Sequence, residues 1–163
     1  MTTLREFTER AARDGAVLWE QQDYHLAPMY AAIDGEGNEI VFDAPPLPKH
    51  ISVMMVKLLL AKLEATRVVF IDEAWTLMKA CTEEEARATS ERMGEQSVRG
   101  EPGSKEVIIV MGEDESEPMV WLQAEIIRGE QETTLGPWVD VSPNYDVKTG
   151  LMVGMLPQRG TRQ

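Results

Sequence analysis

Residues 49–75 read KHISVMMVKLLLAKLEATRVVFIDEAW, and this stretch decides the fold. Its first part, residues 49–65, is apolar on nearly every side of a helix. The polar side chains that interrupt it are Ser52, Lys57, Lys62 and Glu64. A helix with one face in water carries a continuous polar stripe. We therefore predict a mostly buried helix on one face of a sheet, with the first helix or another subunit covering its back.

The second part of this stretch predicts the centre of the sheet. The run VVFI, residues 68–71, has four consecutive β-prone apolar residues, as in a strand that is covered on both faces. With the next two residues it resembles the Walker B segment of P-loop ATPases, where an Asp binds magnesium and a Glu polarises water. The phosphate-binding loop G-x-x-x-x-G-K-[ST] is absent from the sequence. The segment thus predicts two carboxylates, Asp72 and Glu73, at the end of a buried strand, and the residues that follow, to Met78, continue either as strand or as its exit loop.

The flanking sequence predicts one helix, two hairpins and two short strands. Thr3 and Glu6 have the spacing of a capping box, so a helix begins near Leu4 and ends at Gly15 or near Gln22. Apolar runs around Gly-containing polar loops predict the hairpins. These hairpins span residues 27–43 and 106–128, with a proline-rich connection at 44–48 and short strands at 139–141 and 151–156.

Together these elements make a single α+β domain over residues 1–163. We predict an antiparallel or mixed sheet of five to six strands, with the mostly buried helix on one face and an N-terminal helix. Residues 82–104 form a polar insert, either a solvated helix or a mobile loop, and residues 157–163 form a flexible tail.

Charge and cysteine content limit the partners. The chain has 28 acidic and 16 basic residues and a net charge of −12, which repels phosphates and attracts basic proteins. We therefore expect no direct binding of nucleic acid.

Cys81 is the only cysteine, so an intrachain disulfide is excluded, and we expect a reducing compartment. With no signal sequence and no apolar run of membrane-spanning length, a cytoplasmic protein is expected, without membrane association.

Catalytic signatures are weak. His25 and His50 are the two histidines, and neither has the spacing of a metal site, so we expect no metal and no cofactor. The serines lack a G-x-S-x-G setting. The alternative is a small-molecule binder or hydrolytic enzyme with a pocket between sheet and helix, which would use Asp72, Glu73 and His50.

The leading hypothesis is a non-enzymatic interaction module that docks a basic protein partner. Its surface would combine the acidic tip of the second hairpin with nearby carboxylates and tryptophans, because carboxylates bind Arg and Lys and tryptophan is favoured at binding hot spots. The predicted partner-binding residues are Glu113, Asp114, Glu115, Glu117, Trp121, Asp72, Glu73 and Trp75. A homodimer is a further hypothesis, and so is a DNA-mimic inhibitor of the kind that phages encode.

Overall fold

The structure is a computed structural model that describes residues 2–77, 102–143 and 154–157, together with residues 84, 85, 87, 88, 91 and 99. The elements whose bounds are described are two helices and seven strands, and residues 84, 85, 87, 88 and 91 of the predicted insert are helical and exposed. In chain order the elements are α1 (Leu4–Gln21), β1 (Met29–Ile33), β2 (Glu39–Asp43), α2 (Lys49–Lys62), β3 (Arg67–Leu77), β4 (Ser104–Asp114), β5 (Val120–Arg128), β6 (Thr133–Leu135) and β7 (Val139–Asp140). The predicted α+β class, with an N-terminal helix, an antiparallel sheet and a second helix in one domain, is confirmed.

Helix α1 begins at the predicted capping box. The Glu6 backbone N–H donates to Thr3 Oγ1 at 3.2 Å, and the Thr3 backbone N–H donates to Glu6 Oε2 at 2.8 Å. The helix continues through Gly15, which is buried against the side chain of Ile71. A Cβ at position 15 would lie 3.2 Å from Ile71 Cγ2, so this glycine permits a close approach to the sheet and does not end the helix.

The sheet has the order β2-β1-β3-β4-β5-β6, and β7 pairs with another part of β5. All of these pairs are antiparallel, and both predicted hairpins, β1–β2 and β4–β5, are confirmed. Strand β3 lies inside the sheet, as predicted for VVFI. Strand β6 had no counterpart among the predictions.

Two predictions concern parts of the chain that the structure describes only partly. Of the strand expected at 151–156, residues 154–156 are described, and they are irregular. Most of the insert at 82–104 and of the tail at 157–163 lies outside the described residues. Within the described ranges, no helix is long and apolar enough to cross a membrane.

Strand β3 is longer than its apolar run. It pairs with β4 over eleven residues, from Arg67 opposite Asp114 to Leu77 opposite Ser104. Asp72 and Glu73 therefore lie in the middle of the strand and not at its end, because the β4 backbone supplies hydrogen bonds well past Ile71. Successive residues of a strand point to opposite faces, so the two carboxylates are on different sides of the sheet.

Each face of the sheet carries its own apolar core. Helix α1 covers one face through Leu4, Phe7 and Trp19, which pack with strand residues such as Ile108 and Val110. Helix α2 covers part of the other face. Its core contains Val53, Val56, Leu60, Tyr30, Ala32, Val68 and Phe70.

The burial of α2 differs from the sequence-based prediction. Its buried residues are Ser52, Val53, Val56 and Leu60. The opposite side of the helix is exposed within this chain. Helix α1 cannot cover it, because α1 packs on the other face of the sheet. Helix α2 is thus buried along one stripe only, and the apolar side chains on its outer side are exposed.

Candidate functional site

The predicted partner-binding residues do not form one surface. Glu113, Asp114, Glu115 and Glu117 lie at or just beyond the end of β4, which is the acidic tip. Asp72 faces α2, and Glu73 faces α1. Trp121 pairs with Met111 on the α2 side of the sheet, whereas Trp75 follows Glu73 on the α1 side. The eight residues therefore occupy three separate regions.

The acidic tip is held by Arg67, the first residue of β3. The Arg67 guanidinium donates to Asp114 Oδ2 at 2.8 Å and to Glu117 Oε2 at 2.8 Å. Burial opposes ionisation of Asp114, but hydrogen bonds from Ser116 and from Arg67 outweigh it and lower the pKa of this carboxyl. Glu117 Oε2 also accepts from the Leu4 backbone N–H at 3.0 Å. Glu117 thus joins the start of α1 to Arg67 on the sheet, and Asp114 binds the same guanidinium.

Glu113 has a structural role as well. Its carboxylate accepts from the backbone N–H groups of Met155 and Leu156 at 3.0 and 3.1 Å. These bonds fix the described part of the C-terminal region to β4. Glu115, by contrast, is exposed at the tip. An open surface depression of about 670 Å³ lies here, between these acidic residues and the segment Gly154–Pro157.

Glu73 is tied to the α1 side of the protein. Its Oε1 accepts from Trp19 Nε1 at 2.9 Å and from the Leu26 backbone N–H at 3.0 Å. His25 Nδ1 lies 3.8 Å from the other carboxylate oxygen. The contacts order the turn that follows α1, so Glu73 positions a buried tryptophan and a chain segment.

Trp75 and Trp121 are placed differently from each other. Trp75 is 36% exposed, and the Arg99 guanidinium lies 5.4 Å from the centre of its ring. Trp121 is half-buried, and its backbone N–H donates to Ser142 Oγ at 3.0 Å. Trp75 is opposite Glu106, near the other end of β4 from the acidic tip, whereas Trp121 is opposite Met111, two residues before Glu113.

Asp72 lies in a cleft between α2 and the sheet. The cleft has a volume of about 360 Å³, and its walls are formed mainly by Tyr30, Phe70, Leu47 and Pro46. Burial raises the pKa of Asp72 to about 6, although the Glu73 backbone N–H and the charge of Lys49 act in the opposite direction. Burial and the nearby Asp72 charge raise the pKa of the Tyr30 phenol to about 12. A carboxylate in an apolar cleft is the type of group that a ligand can engage.

The three residues of the enzyme alternative are not brought together. Asp72 and Glu73 point to opposite faces of the sheet, and His50 is exposed in the first turn of α2. The described residues contain no group of three or more His, Cys, Asp or Glu side chains that could hold a metal ion. Strand alternation alone separates Asp72 from Glu73 once the alternative in which the strand continues past Ile71 is the one adopted.

The outer side of α2 was expected to be covered by the first helix or by another subunit, and none of its residues was among the predicted partner-binding residues. We call this surface the α2 face, and it consists of Leu47, Ile51, Met54, Met55, Leu58 and Leu59, which are 37–66% exposed. The exposed parts of these six side chains together present roughly 500 Å² of apolar surface. This area lies in the upper part of the range found for the largest apolar patch on a monomeric protein. The available signal was a helix with apolar residues on all sides, whose back needed a cover from the first helix or from another subunit.

Neither protein-family models nor curated proteins nor solved structures contain a significant match to this chain.

Proposed function

We propose that the protein is a non-enzymatic interaction module that assembles with a second copy of itself through the α2 face. The observation that carries this proposal is the exposed apolar stripe. Ile51, Met54, Met55 and Leu58 follow the i, i+3, i+4, i+7 spacing, which places them on one side of the helix. Their exposure is 37%, 57%, 47% and 66%.

The size of the α2 face suits a homodimer. A standard interface buries about 800 Å² on each partner, and homodimer interfaces are about 65% apolar. The apolar part therefore comes to roughly 500 Å² on each side, which is about what the α2 face offers. In a two-fold arrangement, two antiparallel α2 helices would cross near Met54 and Met55, with Leu58 of each copy against Ile51 of the other.

Charge also favours this face for self-association. Two chains of net charge −12 repel each other at long range. Helix α2 contains Lys49, Lys57 and Lys62 and no acidic residue. An approach through α2 therefore keeps most carboxylates away from the contact. Because the contact is apolar and the repulsion is screened by salt, association should strengthen as the salt concentration rises.

Analytical ultracentrifugation tests the proposal. We expect the wild-type protein to form dimers between 1 and about 200 μM, with a smaller dissociation constant in about 0.5 M than in about 0.05 M NaCl. Leu58→Glu should be monomeric, because it buries a charge in the contact, against Ile51 of the other copy. Val17→Glu is the matched control, since Val17 is 55% exposed on α1, on the other side of the sheet. A wild-type monomer throughout this range, or equal dissociation of both variants, would overturn the proposal.

Docking of a basic partner at the acidic tip is a second proposal. Its support is the exposed Glu115 beside a depression lined by Glu113 and Asp114. Glu115 is exposed, whereas Glu113, Asp114 and Glu117 are half-buried, so Glu115 is the position to reverse. Glu115→Lys should weaken the capture of a basic partner, and that capture should fall with added salt, opposite to the α2 contact. The same variant tests the DNA-mimic hypothesis, since unchanged inhibition of a candidate nuclease would remove it.

A further inference from the structure

The cleft at Asp72 has features that no part of the α2 dimer explains. It lies at the start of α2, beside the prolines of the 44–48 connection, and Leu47 is the residue that it shares with the α2 face. Its volume of about 360 Å³ falls within the usual size of small-molecule sites, which are mostly apolar with a few polar groups. The cleft is therefore a candidate binding site that is distinct from the α2 face.

The walls of the cleft are apolar and fixed by packing. Tyr30 is 1% exposed and Phe70 is 8% exposed, and their ring centres are 5.0 Å apart. Phe42 stacks on the other side of Tyr30 with ring centres 5.4 Å apart. Because this aromatic cluster belongs to three paired strands, the floor of the cleft is preorganised, and a ligand would not need to order it.

The polar groups of the cleft set the charge of its ligand. Asp72 lies in the cleft lining, and its carboxylate accepts a hydrogen bond from the Glu73 backbone N–H. The charged and titratable groups around it are Lys49 on α2, Tyr30 on β1 and Glu73 beside it in β3. Burial of Asp72 outweighs the favourable effect of Lys49, so the carboxylate is incompletely compensated. A cation that replaced its lost hydration would bind there with a charge-assisted hydrogen bond.

We propose that this cleft binds an organic ammonium ion, with the ammonium group at Asp72 and an apolar body against Tyr30, Phe70 and the prolines. The aromatic floor suits such a ligand, because cations and apolar groups both bind well beside aromatic rings. Lys49 limits the affinity, since its charge competes for the same carboxylate. The site is independent of the proposed dimer, and the failure of either one leaves the other to its own test.

Benzylammonium and benzyl alcohol form a matched pair of probes, because they share a ring and differ in charge. We expect benzylammonium to shift the NMR signals of Ala27, Ala44 and Val53, which line the cleft and lie outside the α2 face, and benzyl alcohol to bind about tenfold more weakly. Binding should weaken as the pH falls from about 7.5 to 5, since protonation of Asp72 removes the negative charge.

Three variants complete the test. Asp72→Asn keeps the shape of the side chain and should lower the affinity for benzylammonium about tenfold, to that of benzyl alcohol. Lys49→Met should raise the affinity severalfold, which a purely structural role of Asp72 does not predict. Glu20→Gln, at an exposed position on α1, is the control for net charge and should leave binding unchanged. Equal binding of the two probes, shifts confined to other regions, or an unchanged affinity of Asp72→Asn would overturn the proposal.

Discussion

Arg67 and Asp114 form an ion pair at 2.8 Å between the first residue of β3 and the last residue of β4, with side chains that are 15% and 7% exposed. The same guanidinium binds Glu117, which in turn accepts from the first residue of α1. This small network closes one end of the molecule, where the sheet, the acidic tip and the N-terminal helix meet.

Arg67→Met should therefore be strongly destabilising. It leaves two carboxylates without their cation, one of them largely buried, and we expect a loss of about 3 kcal/mol in the free energy of unfolding. Arg10→Met is the matched control. Arg10 also lies over the Phe7 ring and pairs with Glu39, but its side chain is 46% exposed, so we expect a loss below about 1 kcal/mol. Urea denaturation measures both values, and equal losses would contradict the role given to Arg67.

Asp72→Asn should stabilise the protein in a pH-dependent way. The folded-state pKa is about 6, above the value of 3.8 for the unfolded chain, so the folded protein binds more protons between these values. The free energy of unfolding of the wild-type protein therefore falls as the pH rises from 3.8 to about 6. At pH 8 the variant should gain about 2 kcal/mol over the wild type, and the gain should vanish below the unfolded-state pKa. Urea denaturation of both proteins from pH 3.5 to 8 measures this difference, and a gain that is independent of pH would refute the assignment.

Truncation to alanine should destabilise the protein by very different amounts at two leucines of α2. Leu60 is 0% exposed and Leu58 is 66% exposed, two positions apart in one helix. Leu60→Ala removes core packing and should cost about 3 kcal/mol, whereas Leu58→Ala should cost less than about 0.5 kcal/mol. Denaturation at a protein concentration too low for dimers isolates the effect within one chain. A large loss for Leu58→Ala under these conditions would mean that the α2 face is covered within the chain.

Gly112 on β4 faces the side chain of Thr8 on α1, and this contact permits a clear test of packing. A Cβ at position 112 would overlap Thr8 Oγ1 and lie 3.1 Å from Leu4 Cδ1. Gly112→Ala should cost about 2 kcal/mol through overpacking. Gly136→Ala is the control, since its nearest contact would be an ordinary 3.5 Å to the Glu125 carbonyl oxygen.

The double variant Thr8→Ala, Gly112→Ala identifies the cause of that loss. Removal of the hydroxyl makes room for the new methyl group, so the double variant should lose less stability than the two single variants together. Thermal or urea denaturation of the four proteins gives the coupling. Additive losses would show that the two positions do not compete for the same space.

Several elements could be predicted because their signals are local. The capping box at Thr3 and Glu6 operates within one helical turn, and the two hairpins depend on turn residues flanked by β-prone runs. The apolar run at 68–71 correctly indicated an interior strand. The length of β3 could not be predicted in the same way, since Asp72 to Leu77 are held in the strand by pairing with β4, more than 25 residues later in the chain.

The roles of the acidic tip and of the outer side of α2 were harder to predict from the sequence. The acidic tip has the same sequence whether its carboxylates face solvent or bind Arg67, and Arg67 is 47 residues away from Asp114. The apolar pattern of α2 is likewise the same for a fully buried helix and for a helix that buries one stripe.

The sequence by itself determined the order and type of most elements, because helix caps, turns and hydrophobic runs act between near neighbours in the chain. Only the tertiary structure decided which carboxylates are used within the fold, which one lies in a cleft, and which side of α2 is exposed. These properties depend on contacts between residues that are distant in sequence, and the choice of those contacts is made by the packing of the whole domain.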